Sequence, residues 1–186
     1  MLIAAIVIIA AVVVGAAAVI VWQFNRLVAA RNRVRDAWAG IDVQLRKRTD
    51  LVPQLVAVVD GYRIHERDTL EGVAGARARI DASRESPSAA GDADAALETS
   101  LAGLYAVAEA YPDLKANEQF LELQQGLAGI EDDLIGARRY YNALVRRYND
   151  AQQTFPGVVF AGVFRHEPAE YFQIDLEAAA APDAGF

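Results

Sequence analysis

The sequence has 186 residues, no cysteine and a formal net charge of −7. Without cysteine, the chain has no disulfide, no thiolate metal ligand and no cysteine nucleophile. The acidic balance argues against general nucleic-acid binding, which requires a basic surface. About 160 residues follow the apolar N-terminal stretch, enough for one domain with a hydrophobic core.

The first element is an apolar stretch from Leu2 to Trp22 that contains no charged side chain. As a helix it would be roughly 31 Å long, close to the hydrocarbon thickness of a bilayer. A secretory signal peptide normally has a basic segment before an apolar core of about 7–15 residues. We therefore predict an uncleaved transmembrane anchor over residues 1–25.

The charges that follow the span predict its orientation. Four arginines come before the first acidic residue, Asp36. Basic residues next to a span stay on the cytoplasmic side, and each can contribute about 1 kcal/mol by contacting anionic headgroups. The chain is therefore expected to cross once, with its N-terminus outside and the remainder in the cytoplasm. The residues assigned to topology and headgroup contacts are Arg26, Arg31, Arg33 and Arg35.

The segment after the span has the periodicity of a helix with one apolar face. Apolar side chains recur seven residues apart, and others fall four residues later. No proline or glycine interrupts residues 21–39, so the first helix is expected to continue directly from the span. The apolar positions are Leu27, Val34, Trp38, Ile41 and Leu45.

A turn is predicted near Arg48–Asp50, because oxygen-bearing side chains there suit an N-cap and Pro53 suits a first helical turn. The second helix then runs from about Leu51 to Arg84. Gly72 and Gly75 lie inside it, and each weakens it by about 1 kcal/mol relative to alanine.

The predicted lengths of these two helices conflict. Outside the membrane the first would be roughly 35 Å long and the second roughly 51 Å. Either the second helix breaks at Gly72 or Gly75, or the helices tilt from the anchor near residues 23–25.

The stretch Ser83–Asp94 is rich in Ser, Pro, Gly and Asp, which predicts a loop. A third helix follows from about Ala93 to Ala110, and Pro112 ends it. The fourth helix, from about Asn117 to Phe155, has apolar residues every seven positions and a second set three later. That pattern predicts a bundle seam or coiled coil. The first set is Phe120, Leu127, Leu134, Tyr141, Tyr148 and Phe155.

Four amphipathic helices with mostly short connections favour antiparallel neighbours. The predicted fold is all-α, with an N-terminal transmembrane helix followed by a long antiparallel four-helix bundle. The bundle would occupy residues 26–157, followed by an apolar C-terminal segment over 158–172. An acidic, flexible tail is expected over 173–186.

Three stretches carry a recognisable family pattern. Residues 31–70 read RNRVRDAWAGIDVQLRKRTDLVPQLVAVVDGYRIHERDTL. Residues 110–157 read AYPDLKANEQFLELQQGLAGIEDDLIGARRYYNALVRRYNDAQQTFPG, and residues 161–172 read AGVFRHEPAEYF. Together with the apolar span, these stretches resemble the LemA family.

The resemblance implies a bacterial single-pass protein of the plasma (inner) membrane with a cytoplasmic helical bundle. It implies no enzymatic activity. The association of one family member with magnetosome membrane formation suggests a role in membrane organisation.

Two Tyr-Asn pairs, Tyr141-Asn142 and Tyr148-Asn149, repeat at heptad spacing on the fourth helix. A buried Tyr or Asn needs a hydrogen-bond partner and can select the register of a bundle. We interpret both pairs, with Trp38, as residues of bundle register; the alternative is a binding surface. The arginines at 138, 139, 146 and 147 could pair with Glu or Asp across the bundle, but we interpret them as a solvated face.

The sequence offers few candidate catalytic or metal-binding residues. His65-Glu66 begins like a zinc-protease motif, but Thr69 stands where the second histidine would be, and His166 lies far along the chain. No phosphate loop, nucleophile elbow or triad is recognisable. We therefore predict a protein that is not an enzyme, with no catalytic residue, no metal site and no cofactor.

The segment Phe155–Phe164 reads FPGVVFAGVF and is wholly apolar. In an up–down bundle that hangs from a membrane, the fourth helix returns towards the bilayer, where such a segment would suit lipid contact. The alternative is packing across the bundle end or onto another subunit. Both interpretations apply to Phe155, Phe160 and Phe164.

Within the span, one stripe of small residues would allow close approach of two helices. The leading hypothesis is a non-enzymatic membrane-anchored scaffold that forms homo-oligomers and organises or shapes the bacterial membrane. The alternative is a membrane-tethered adaptor that recruits an unidentified protein partner in envelope signalling. Both hypotheses predict that the protein contacts the lipid bilayer and that it binds no nucleic acid. The stripe and its membrane-surface end comprise Ala4, Ala11, Gly15, Ala18 and Trp22.

Overall fold

The computed structural model describes residues 2–62 and 66–172. Every regular element in those ranges is a helix, so the predicted all-α fold class is confirmed. The predicted tail over 173–186 lies outside the described residues. The helices are α1 (Leu2–Gly61), α2 (Arg67–Ser83), α3 (Pro87–Glu109), α4 (Pro112–Lys115), α5 (Glu118–Gln153) and α6 (Gly157–Val163).

Packing divides the chain into two compact units. Unit 1 covers Met1–Ala37 and Ala143–Ala169, and unit 2 covers Trp38–Asn142 and the chain from Glu170 onwards. Helices α1 and α5 therefore contribute residues to both units. The domain boundaries drawn from composition, after residues 25, 157 and 172, stay predictions.

The predicted turn at Arg48–Asp50 is wrong, because α1 continues to Gly61 with Pro53 inside it. A proline inside a helix has no N–H to donate to the carbonyl four residues earlier, which here is that of Thr49. Arg77 Nε of α2 donates to that carbonyl oxygen instead, at 2.9 Å. A residue from another helix thus satisfies the acceptor that the proline frees.

The second helix is correspondingly shorter than predicted. It begins at Arg67 rather than Leu51. Gly72 and Gly75 lie inside α2, so neither glycine breaks a helix as one option required. Because α1 takes up the residues assigned to the start of the second helix, the conflict between the two predicted lengths disappears.

The predicted loop over Ser83–Asp94 is also wrong, because α3 already begins at Pro87. The Ser86 hydroxyl accepts a hydrogen bond from the Ala89 N–H at 3.3 Å, as an N-cap does. Proline is favoured at the first helical position that follows, since its missing N–H has no partner there anyway. The same Ser-Pro composition that suggests a loop here starts a helix.

Helix α5 agrees with the fourth predicted helix to within two residues at each end. Asn117 Oδ1 accepts the Phe120 N–H at 2.9 Å and caps its first turn. Most of the apolar heptad positions face the protein interior, as the periodicity predicts, but Phe155 lies beyond the end of α5 and is exposed. Those that are buried include Phe120, Leu123, Leu127, Ile130, Leu134, Tyr141, Leu144 and Tyr148.

Neighbouring helices in unit 2 run antiparallel. Between α1 and α2, Thr49 contacts Arg77 and Asp42 contacts Arg84, so partner numbers fall along one helix as they rise along the other. The same holds near α1 and α5, where the Trp38 and Tyr141 rings are 5.8 Å apart. Asn117 Nδ2 donates to Tyr62 Oη at the other end of that pair of helices, at 3.0 Å. These contacts give the directions of α2 and α5 relative to α1, whereas the four-helix bundle stays a prediction.

Candidate functional site at the end of the apolar span

The apolar stretch Leu2–Trp22 is exposed at every residue, and burial begins at Gln23, whose side chain is 1% exposed. Within the described residues, α1 is the one helix that is long and apolar enough to cross a membrane. Exposed apolar surface of this length is suited to lipid rather than to water. This part of α1 is therefore consistent with a membrane anchor.

The predicted small-residue stripe lies on this exposed part of α1. A Cβ added at Gly15 would meet no other atom within 4 Å, so the stripe is open to a neighbour. Its role in oligomer contact stays a prediction. At the end of the span the Arg26 guanidinium lies 5.6 Å from the centre of the Trp22 ring, within range of a cation–π contact.

The short helix α6 packs against α1 where the exposed span ends. The Phe164 ring meets the Phe24 ring edge to face, with centroids 4.9 Å apart. At the other end of α6, a Cβ built at Gly157 would lie 3.4 Å from Gln23 Nε2. Gly157 and Ala161 are the buried residues of α6, so one side of the helix consists of very small side chains.

Replacing Gly157 with alanine is expected to lower the free energy of unfolding by about 1–3 kcal/mol, the usual cost of overpacking. The added methyl would overlap the Ala151 carbonyl oxygen, which belongs to α5 and cannot swing away as a side chain does. Gly162→Ala is the matched control, because a Cβ there meets nothing within 4 Å. Thermal unfolding of the detergent-solubilised full chain, followed by circular dichroism, measures both. Equal melting temperatures for the two variants would contradict the assigned packing.

Helix α6 ends in a Schellman motif that reverses the chain. The His166 N–H donates to the Ala161 carbonyl at 2.9 Å, and the Arg165 N–H donates to the Gly162 carbonyl at 3.4 Å. Arg165 itself has φ of 51°, in the left-handed region that this motif requires. The residues that follow contact α5 at the second Tyr-Asn pair.

In unit 1, the second Tyr-Asn pair holds this returning segment. Asn149 Nδ2 donates to the Ala169 carbonyl at 3.0 Å, and Asn149 Oδ1 accepts the Ala169 N–H at 2.9 Å. Tyr148 Oη lies 3.0 Å from His166 Nδ1. One side-chain amide thus satisfies both backbone groups of a single residue, as a neighbouring β-strand would.

In unit 2, the first pair acts in the same way. Asn142 Nδ2 donates to the Phe172 carbonyl at 2.9 Å, and Asn142 Oδ1 accepts the Phe172 N–H at 3.0 Å. Tyr141 Oη donates to the Glu170 carbonyl at 2.8 Å. The centre of the Trp38 ring lies 5.8 Å from that of Tyr141 and 6.0 Å from that of Phe172.

The role of these pairs in bundle register stays a prediction, whereas their partners are now defined. The polar groups bond to the C-terminal segment, which sequence reasoning did not connect with them. The sequence does contain one signal for such a partner segment. A tyrosine and an asparagine repeated side by side at heptad spacing offer more donors and acceptors than an apolar seam uses.

The basic residues after the span surround part of this site. Burial raises the pKa of the Tyr148 hydroxyl, an effect that Arg31 and Arg35 partly oppose. Burial, and then the charge of Arg31, lowers the pKa of the His166 imidazole. Arg33 is exposed. Two of the four arginines assigned to headgroup contacts are thus close enough to act electrostatically on the Tyr148–His166 contact.

Acidification is expected to weaken the Tyr148–His166 contact. A neutral Nδ1 can accept the tyrosine hydroxyl, whereas a protonated one cannot. Because the folded pKa of His166 lies below its ordinary value of 6.5, this stabilisation is present above pH 6.5. It is lost as the pH falls through 6.5 towards the folded pKa. An NMR titration of the His166 ring, assigned by its disappearance in His166→Gln, should show a midpoint below 6.5; a higher midpoint would contradict the assignment.

A buried cluster of charges joins helices of unit 2. Arg48 Nη1 lies 2.7 Å from Asp94 Oδ1 and 2.7 Å from Glu131 Oε2. Arg138 pairs with the other oxygen of Asp94, and its Nη1 lies 3.4 Å from Glu131 Oε1. The Asp94 side chain is 0% exposed and that of Arg48 is 4% exposed. Two positive and two negative charges are therefore balanced inside the protein.

This cluster corrects the interpretation of Arg138 as part of a solvated face. Arg139, Arg146 and Arg147 are exposed, as expected for such a face. Across residues 2–62 and 66–172, no group of three or more His, Asp or Glu side chains is arranged to hold a metal ion. His65 lies outside these ranges, so a site shared by His65 and His166 is not described.

A family model described as the LemA family matches residues 37–186. The chain belongs to the LemA family. The family membership that the sequence resemblance implies is thereby confirmed. A curated relative, Protein LemA of Metamycoplasma hominis, is 25% identical over 140 residues. The match covers 74% of this LemA family chain but 63% of the relative, so the chain spans less than two thirds of the relative's length.

Proposed function

We propose that this LemA family chain is a non-enzymatic, membrane-anchored helical scaffold that self-associates and organises or shapes the bacterial plasma membrane. The observation that carries the proposal is the continuity of α1, a single helix of 60 residues. Its first part is the exposed apolar stretch, and its later part supplies core residues such as Leu27, Ile41 and Leu45. One continuous helix therefore supplies both the lipid-suited span and residues of the core.

The use of the buried ionisable groups supports a structural rather than a catalytic role. Asp94 and Glu131 are neutralised by Arg48 and Arg138, which a site poised for proton transfer would not favour. The Tyr148–His166 contact connects the C-terminal segment to α5. Each of these groups has a partner that accounts for its position.

Self-association is supported by the surface of the span. Ala4, Ala11, Gly15 and Ala18 share one side of the helix, and a neighbouring span could approach them closely. In lipid, close backbone approach at small residues is a main source of affinity between helices. The proposed assembly is therefore held together, at least in part, within the membrane.

The proposal predicts a defined oligomer when the full chain is solubilised in detergent at micromolar concentration and measured by light scattering. Gly15→Leu places a bulky side chain on the stripe and should shift the protein towards monomer. Val13→Leu, on the opposite side of the helix, is the matched control and should leave the oligomer intact. A wild-type protein that is strictly monomeric would contradict self-association.

Crosslinking in cells distinguishes the scaffold from the adaptor. A ladder of self-crosslinked species supports the scaffold. A single heterologous band without that ladder would instead support a tethered adaptor in envelope signalling and contradict the scaffold.

A further inference from the structure

The outward side of α6 has an unusual composition for a surface helix. Between Phe155 and Phe164 there is no polar side chain, and the buried positions are taken by Gly157 and Ala161. The larger apolar side chains point away from the protein: Phe155 is 84% exposed and Val159 is 54% exposed. A helix that packs small residues inward and valine and phenylalanine outward needs something apolar to cover it.

The position of α6 within unit 1 indicates what that cover is. Its first residue lies beside Gln23 and its C-terminal Phe164 packs on Phe24. Residues 23 and 24 are about 1.5 Å apart along α1, whereas α6 is about 10 Å long. The two ends of the short helix therefore contact neighbouring residues of α1. They do so at the level where the exposed apolar stretch ends.

The charges at the same level suit a headgroup layer. Arg26 is four residues beyond Trp22, about 6 Å along the helix, which falls within the polar layer of about 5–8 Å on each side of a bilayer. No acidic residue lies between the span and Asp36, and α6 is followed directly by Arg165. An arginine stacked on a tryptophan at the end of a span is a typical membrane-interface pair.

From these observations we infer that α6 is a second membrane contact. It lies in the plane of the bilayer surface beside α1, with Phe155, Val158, Val159 and Val163 in the acyl boundary and the neighbouring arginines among anionic headgroups. The inference rests on the proposed membrane anchoring and deepens it. A second copy is a poorer occupant, because one side of a seven-residue helix is smaller than the roughly 600 Å² per partner of even a weak protein interface.

The contact would give the protein two attachments to one leaflet. A transmembrane helix alone can tilt and rotate, since interfacial anchors and packing set its angle. A helix that packs against it and is embedded in the surface restricts both motions. Unit 1 would then hold α1 at a defined angle, which is what a protein that organises a membrane requires.

The absence of cysteine makes a direct test possible. Val159→Cys carries a nitroxide spin label in the full chain, reconstituted in nanodiscs that contain phosphatidylglycerol. Val43→Cys is the matched control, a valine of similar exposure in unit 2. Power-saturation EPR compares collisions of each label with oxygen, which concentrates in lipid, and with a water-soluble nickel complex. The Val159 label is expected to favour oxygen, and the Val43 label to favour nickel.

Two results would overturn the inference. A Val159 label as accessible to nickel as the Val43 label places α6 in water. A Val159 label that is inaccessible to both oxygen and nickel, with dipolar broadening that disappears on dilution with unlabelled protein, places α6 against a second copy. A label at Val13→Cys, inside the span, separates this failure from failure of the anchor. If the Val13 label favours oxygen and the Val159 label does not, the anchor stands and the second contact is wrong.

Discussion

Replacing Asp94 with asparagine is expected to lower the free energy of unfolding by about 3–5 kcal/mol, the typical cost of breaking a buried ion pair. The substitution keeps the shape of the side chain but removes its charge. Arg48, almost fully buried, would keep Glu131 as its carboxylate partner while Arg138 shares the same carboxylate. One positive charge would then remain uncompensated in the interior. Urea or thermal unfolding of the full chain in detergent, followed by circular dichroism, gives the change.

Glu109→Gln is the matched control for Asp94→Asn. It also removes one carboxylate from an arrangement with a basic partner, Lys115, but both side chains are more than half exposed. Exposed pairs contribute about 0–1 kcal/mol, so the control should unfold almost as the wild type does. If the two variants proved equally stable, the cluster would have to be hydrated, and its role in joining the helices of unit 2 would be wrong.

The parts of the fold that follow from local pattern were predictable. The heptads of α5 extend over its whole length, so its ends are predicted to within two residues. The limit of the exposed stretch, between Trp22 and Gln23, coincides with the first side-chain amide after the apolar residues. Both features depend on side-chain type and period along one helix, which are visible without knowing any tertiary contact.

The helix boundaries that were predicted wrongly depend in part on contacts between residues distant in sequence. Pro53 is a strong local signal for a helix start, yet α1 passes through it because Arg77 bonds the carbonyl of Thr49. That arginine is 28 residues away from Thr49, so no local window contains both sides of the interaction. The predicted start of α3 was wrong for a different reason. Ser86 and Pro87 fit either a loop or a capped helix, and composition alone favoured the loop.

The candidate site also combines features that composition predicts with contacts that it does not. The apolar character of Phe155–Phe164 and the basic residues after the span are properties of composition, and both mark the part of unit 1 next to the end of the apolar span. The contacts of Phe164 with Phe24, and of Asn149 with Ala169, join segments far apart in sequence. Asp94 was overlooked because it fell in the stretch interpreted as a loop, where an acidic residue carries no signal of burial.

Replacing Asn142 with alanine is expected to release the C-terminal segment from α5 within unit 2. The variant loses both hydrogen bonds to the backbone of Phe172, whose side chain is fully buried. Leaving a buried donor or acceptor without its partner costs about 1–3 kcal/mol each, so a loss of about 2–6 kcal/mol is expected if the segment stays in place. If the segment detaches instead, the cost is limited to its own docking energy.

Hydrogen exchange at the Phe172 amide distinguishes these outcomes from a general loss of stability. Release of the segment predicts faster exchange at Phe172 while amides in the middle of α3, such as Leu101, keep their protection. Asn32→Ala is the control, because this exposed asparagine on α1 should leave both rates unchanged. If exchange at Phe172 were as slow in Asn142→Ala as in the wild type, the apolar contacts of its ring with Trp38 would be sufficient. The paired hydrogen bonds would then select the position of the segment without holding it.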